Sequence, residues 1–376
     1  MRRSYLDHAA ATPLTARAGK AYASALALFG NASAVHAEGR AAKEAVTAAR
    51  TAIAATLRVM SDELVFTSGG TEANNIAIMG TVWTHAVTST IEHASVLKAF
   101  ALMEQHGRAV TYVAPGQDGV VRAESILKEV SAETGLVSLH HVNSESGTVQ
   151  PIAEIGAALR KLPHKVALHT DAAQSVLWLE AAPHTLRADL VSYDAAKLGG
   201  PKGVGVLYRN FSIPLTAVSG GGTQERSIRP GTENVPAIVA SAVAFEDAAR
   251  GRKARAVKVA ALRDYLTSEV RLQVPEAEII GSMKKRVANN LFITIPGTDG
   301  DYLAVLMDAE GVAVTPRSAC VGSGGGHSSI AAALVGQEKA QGTVRFTLGP
   351  ATTKGDITHA VAALKKSLKV QLYPVR

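Results

Sequence analysis

Three stretches decide the fold: Val166-Ala167-Leu168-His169-Thr170-Asp171, Leu190-Val191-Ser192-Tyr193-Asp194-Ala195-Ala196-Lys197 and Val204-Gly205-Val206-Leu207-Tyr208. Each is a short β-branched run that ends in a polar residue or a turn, which predicts buried strands rather than helices. Working outward, Glu63–Phe66, Val87–Ile91, Val110–Val113 and Gly135–Leu139 repeat the pattern with helical stretches between them. Strands alternating with crossover helices predict an α/β fold with a mostly parallel sheet of seven strands. Ligands on such sheets sit beyond the carboxyl ends of strands, so polar residues that follow these runs carry the most weight.

Two Ala-rich helical stretches, Glu38 to Leu57 and Val235 to Val274, flank this unit, and the second reads as a bridge into a smaller C-terminal α/β layer. That layer has β runs at Glu278–Ile280, Asn290–Ile295, Val312–Val314 and Thr343–Phe346, and helices at Asp301–Glu310 and Lys354–Val370. We expect a large domain over residues 14–245, and a small one from residues 1–13 with 246–376. The Gly-rich segments Ser219–Gly231 and Gly322–Ser329 read as the loosest.

The 376 residues are 47% hydrophobic and 19% charged, a balance that excludes disorder, collagen and coiled coil. No uncharged apolar run is long enough to span a bilayer, and an acid, Asp7, interrupts the start before a signal-peptide core can form. One cysteine, Cys320, precludes an internal disulfide, so a cytoplasmic setting is expected. The +7 net charge is scattered without interleaved aromatics, which argues against nucleic acid and for small anionic ligands. Twelve histidines include no HExxH, and His140-His141 on a strand would point to opposite faces, so no metal site is expected.

Several residues could carry chemistry. Thr67-Ser68-Gly69-Gly70-Thr71-Glu72-Ala73-Asn74-Asn75 follows a strand and opens a helix, the geometry of a phosphate cradle or simply of a turn capped by Thr71. Asp171, with Gln174, could keep a pyridine nitrogen protonated as pyridoxal phosphate (PLP) enzymes require, or could cap a helix. Lys197 is the candidate Schiff-base lysine, while Lys202 sits in a Gly-Pro turn. His93 could stack on a ring and move protons, or be structural. Cys320 lies among glycines and serines near Arg317 and His327, which would favour a thiolate, or it is an inert loop cysteine. Arg345 stands mid-strand among apolar residues and needs a carboxylate, either a substrate's or a structural one.

In order and spacing these motifs resemble the cysteine desulfurases, the NifS/IscS-like group of PLP enzymes with the class V aminotransferase fold. The resemblance spans Tyr5-Leu6-Asp7, Gly30-Asn31-Ala32-Ser33 with His36, Phe66–Glu72, Glu92-His93, His141-Val142-Asn143, Asp171–Gln174, Gly200–Gly203, Arg229–Thr232, Ser318-Ala319-Cys320 and Arg345-Phe346. It implies a PLP-dependent transferase of fold type I that converts L-cysteine to L-alanine, with Lys197 as the cofactor lysine and proton shuttle. It implies Asp171 at the pyridine nitrogen, Gln174 and Ser144 near the phenolic oxygen, His93 on the ring, and Gly70 and Thr71 at the phosphate. Asn31 and Arg345 would bind substrate, and Thr232 would reach the cofactor of a second subunit in a homodimer. Cys320, on a long mobile loop, would take the sulfur as a persulfide for an iron-sulfur scaffold, a thiolated cofactor or tRNA. A selenocysteine lyase, another class V aminotransferase, or a silent scaffold that binds a sulfur acceptor are the alternatives.

Three positions depart from that pattern. Asp194-Ala195-Ala196-Lys197 stands where the family has Ser-x-His-Lys, and Ser144 replaces an asparagine. An ionised Asp194 facing a phosphate dianion would repel it, so it is expected to turn away, pair with a base, or weaken PLP retention.

Overall fold

The computed structural model describes residues 2–316 and 328–372. In chain order the first eight strands are β1 (Ser4–Tyr5), β2 (Leu64–Thr67), β3 (His85–Ser89), β4 (Ala109–Val113), β5 (Thr134–Ser138), β6 (Ala167–Asp171), β7 (Leu190–Asp194) and β8 (Gly205–Arg209). Strands β2 to β8 form one sheet in the order β2-β8-β7-β6-β5-β3-β4. Only β8 runs against its neighbours, β2 and β7, so the mostly parallel sheet of seven strands is as expected. The strand limits differ by a residue or two, most at β3, where Thr90-Ile91 already turns toward Glu92.

Helices cover the sheet, which is why its strands read as continuous apolar runs. Helix α1 spans Ala16–Ala25, α2 spans Ala37–Leu57, α3 spans Gly70–Met79 and α4 spans Ala94–Gln105. Thr15, His36 and His93 accept backbone N–H groups at the starts of α1, α2 and α4. Helix α3 packs along β6, β7 and β8, and its start is brought in by Gly205: a Cβ there would lie 2.5 Å from the Gly69 carbonyl carbon.

The stretch from Val235 to Val274 is two helices, Val235–Ala249 and Arg252–Gln273, because Gly251 turns left-handed between them at φ 66°. Beyond them, β9 (Glu278–Ile279), β10 (Asn290–Thr294) and β12 (Thr343–Thr347) form an antiparallel sheet in the order β12-β10-β9. Strand β11 (Val312–Ala313) pairs with β1 in parallel, so the amino terminus joins the late part of the chain.

The Ser219–Gly231 segment is not loose in the way its glycines suggest. Glu225 is buried there and accepts from both Arg50 Nη1 (2.8 Å) and the Phe66 backbone N–H (2.8 Å). Glu225, Arg226 and Ser227 all take positive φ, a strained run that this carboxylate holds in place. Polar groups also cross the main sheet: the His169 ring, fully buried on β6, bonds Ser138 Oγ on β5 (2.8 Å) and Ser192 Oγ on β7 (3.0 Å).

Two outcomes follow for stability. Replacing Glu225 with Ala strands a largely buried arginine and is expected to cost about 3 kcal/mol in a denaturant unfolding experiment; a change below about 0.5 kcal/mol, the range of ordinary surface substitutions, would refute the anchoring. Burial pushes His169 and His141 down to about 4, below their ordinary 6.5. The unfolded chain therefore binds more protons between those values, and the melting temperature should fall as pH is lowered from about 6.5 toward 4. His169→Asn should flatten that dependence.

Candidate active site

The loops that leave β3, β5, β6 and β7 converge at one edge of the main sheet, where the strand order reverses around β3. A cleft opens there, and it gathers Gly70, Thr71, His93, Ser144, Asp171, Gln174, Lys197 and Arg345. These eight sequence-selected residues come from six separate stretches of chain. Asn31 and Thr232 are exposed and lie outside the cleft. Cys320, with Arg317 and His327, lies outside the described residues.

Asp171 closes β6, and each of its oxygens has a partner. Oδ1 accepts from the Ala173 backbone N–H at 2.9 Å and Oδ2 from Asn74 Nδ2 at 2.7 Å. Asn74, on α3, also donates to Ser95 Oγ at 2.9 Å, which leaves the Ser95 hydroxyl hydrogen for His93 Nδ1 at 2.7 Å. With Nδ1 thus accepting, the neutral His93 ring carries its proton on Nε2. The chain Asp171–Asn74–Ser95–His93 therefore sets both a carboxylate and an imidazole against the cleft. Neither Asn74 nor Ser95 stands out in the sequence with a role of its own, although Asn74 belongs to the Thr67–Asn75 stretch, four residues beyond Gly70 and hence on the same helix face.

Lys197 ends a short 3-10 turn, Ala195–Lys197, that follows β7. Its Nζ donates to the Ala10 carbonyl, and Gln174 Nε2 donates to the Ala9 carbonyl at 2.9 Å, so residues 9–12 form a strap over this end of the cleft. Thr12 fastens the strap through its N–H to the Ala196 carbonyl at 3.0 Å. Across the cleft, His140 Nδ1 lies 2.8 Å from Glu92 Oε1, and both residues are buried. His140 lines the cleft and His141 does not, and no group of metal-ligating residues occurs among the described residues.

Asp194 does not turn away. It lines the cleft beside Gly70 and Thr71, with Oδ1 accepting from the Ala196 N–H at 2.9 Å and Oδ2 3.5 Å from where a Cβ on Gly70 would lie. No basic side chain pairs with it among the described residues. Thr71 is not a cap either, since α3 begins at Gly70 with Gly69 before it and no side-chain cap.

Arg345, on β12, is almost fully buried. Nη2 donates to Asp7 Oδ1 at 2.8 Å and to Thr315 Oγ1 at 2.9 Å, and Nη1 donates to the Ser144 carbonyl at 2.8 Å. The structural carboxylate foreseen as one option exists in Asp7, and the arginine still borders the cleft.

An acid, an imidazole, an amine and a guanidinium facing one cleft at the carboxyl edge of a parallel sheet suit the handling of a small zwitterion. Comparison with known proteins points the same way. Residues 4–359 match the aminotransferase class-V family model. The chain is 35% identical to a cysteine desulfurase IscS of Dictyoglomus turgidum, over 98% of this chain and 95% of that one, and 37% identical to a cysteine desulfurase IscS of Histophilus somni, over 97% and 92%. A solved NifS-like protein superposes with a TM-score of 0.91 at 29% identity, covering 98% of this chain and all of that one. No described helix is long and apolar enough to cross a membrane. The chain belongs to the aminotransferase class-V family and, within it, to the PLP-dependent cysteine desulfurases.

Proposed function

We propose that this protein holds PLP in the cleft beyond β6 and β7 and converts L-cysteine to L-alanine, passing the sulfur to Cys320 as a persulfide for an iron-sulfur scaffold, a thiolated cofactor or tRNA. The observation that carries this reading is the meeting of Asp171, His93, Lys197 and Arg345 in one cleft from four distant stretches of sequence. The donor set fits the cofactor at three of its four parts. Asp171 would take the pyridine nitrogen, His93 the ring face, Lys197 the aldehyde carbon, and Gly70 and Thr71 the phosphate, where Asp194 is the discordant group. Bound PLP supplies an electron sink for charge that develops at the α-carbon of an amino acid.

The chain's own groups supply the rest. Lys197, held over the cleft from the Ala10 carbonyl, is placed to move a proton to and from the substrate. His93, fixed by Ser95, presents a ring of defined tautomer. Arg345 offers its guanidinium to the α-carboxylate. The sulfur chemistry balances without an outside oxidant: the carbon–sulfur bond of cysteine breaks, a sulfur–sulfur bond forms on the Cys320 thiol, and the carbon skeleton leaves as alanine.

The same reading takes in the assembly. Thr232 is exposed and outside its own cleft, which suits a homodimer in which it reaches the cleft of a second copy. Asn31 would join Arg345 at the substrate. Residues 14–245 would form the cofactor-binding unit, and residues 1–13 with 246–376 the unit that carries Cys320. The single cysteine suits a reducing cytoplasm.

Alanine release from L-cysteine and added PLP tests the function. Wild type should release alanine, and Lys197→Ala and Cys320→Ser should each lose at least about a hundredfold in rate; alanine from Lys197→Ala at the wild-type rate would overturn the reading. Asp194 gives a second test. Removing its charge with Asp194→Ser should tighten PLP binding about tenfold in an absorbance titration at neutral pH. Equal or weaker binding by the variant would show that the carboxylate does not oppose the phosphate.

A further inference from the structure

Arg345 has five N–H groups, and three are committed: two on Nη2, to Asp7 and Thr315, and one on Nη1, to the Ser144 carbonyl. Its Nε is buried with no partner among the described residues. Asp7 is itself buried, and Thr315 Oγ1 donates to Asp7 Oδ1 at 3.2 Å while accepting from Arg345, so the three side chains close a ring. The backbone locks the ring as well. Arg345 N–H donates to the Thr315 carbonyl at 2.7 Å, and Thr347 N–H to the Leu6 carbonyl at 2.7 Å, so the edge of β12 that faces away from β10 is held by the segments that carry Thr315 and Asp7.

A guanidinium that is 1% exposed and lacks a counter-ion is costly to bury, and a free one would wander among rotamers before it met a ligand. Asp7 removes both problems on the Nη2 side and leaves spare donors. We infer that Asp7 is a positioning residue, which, together with Thr315, fixes the Arg345 guanidinium so that its uncommitted N–H groups meet the α-carboxylate of the amino-acid substrate. The inference rests on the proposed role of Arg345 toward that carboxylate and deepens it. It also gives a task to the Tyr5-Leu6-Asp7 motif, which the sequence singles out and the proposed chemistry leaves idle.

The test uses the PLP-loaded protein and two ligands that share a thiol and an amine: L-cysteine, and cysteamine, which lacks the carboxylate. Half-saturation is read from the cofactor absorbance for wild type, Asp7→Asn, Thr315→Val and Arg345→Ala. Asp7→Asn and Arg345→Ala should weaken L-cysteine about tenfold, the weight of one charge-assisted contact, and leave cysteamine unchanged. Thr315→Val, which keeps both charges, should weaken L-cysteine about threefold and guards against a folding failure of the Asp7 variant. If Arg345→Ala weakens L-cysteine but Asp7→Asn and Thr315→Val do not, Asp7 is only a structural counter-ion and the inference falls. It falls equally if Asp7→Asn weakens both ligands alike. If Arg345→Ala itself binds L-cysteine as wild type does, the proposed role of Arg345 fails first, and the positioning role with it.

Discussion

A right-handed crossover returns the chain to the same edge of a parallel sheet each time, and the cleft exists because of that constraint. The residues after β3, β5, β6 and β7 have nowhere else to emerge, so His93, Ser144, Asp171 and Asp194 arrive as neighbours although they are far apart in sequence. The one reversed strand, β8, serves the same end. Its pairing with β7 closes the excursion from Asp194 to Gly205 into a short loop, and Lys197 rides on that loop. Gly205 then lets the turn before α3 press against β8, which delivers Gly70 and Thr71 to the same place.

What the sheet gathers, hydrogen bonds orient. Four of the cleft side chains are fixed by named partners: Asp171 is held by α3, His93 by the first turn of α4, Lys197 by the strap at residues 9–12, and Arg345 by Asp7 and Thr315. The supporting groups are short and polar, and most of them are buried, as expected where a site must hold its shape before a ligand arrives. The same habit appears beneath the cleft, where His169 bonds a serine on each neighbouring strand and so ties β5, β6 and β7 at one level.

The sequence made the sheet legible because each buried strand is a run of β-branched and aliphatic residues, and it made Asp171, His93 and Lys197 legible because each directly follows such a run. It was silent where the deciding contact is remote. Nothing local marks Asn74 as the partner of Asp171, 97 positions away, or Glu225 as the anchor of a Gly-rich segment through Arg50, 175 positions away. Arg345 is intermediate: its apolar neighbours required a carboxylate, but only the folded chain identifies Asp7. Gly251 was hidden for another reason, since one glycine in an Ala-rich helical pattern does not announce whether the helix bends, ends or continues.

The pairing of Asp7 with Arg345 joins residues 338 positions apart, nearly the whole chain. During synthesis at about 5–20 residues per second, Asp7 leaves the ribosome roughly 20 to 70 s before Arg345 does. The main sheet can assemble in that interval, but β1 has no partner until β11 emerges, and Leu6, fully buried at the end, stays open to solvent or to a chaperone meanwhile. Strand β1 is thus made well before the elements that shelter it, and a chain cut short before β12 lacks both the partner of Asp7 and the Thr347 N–H that bonds the Leu6 carbonyl.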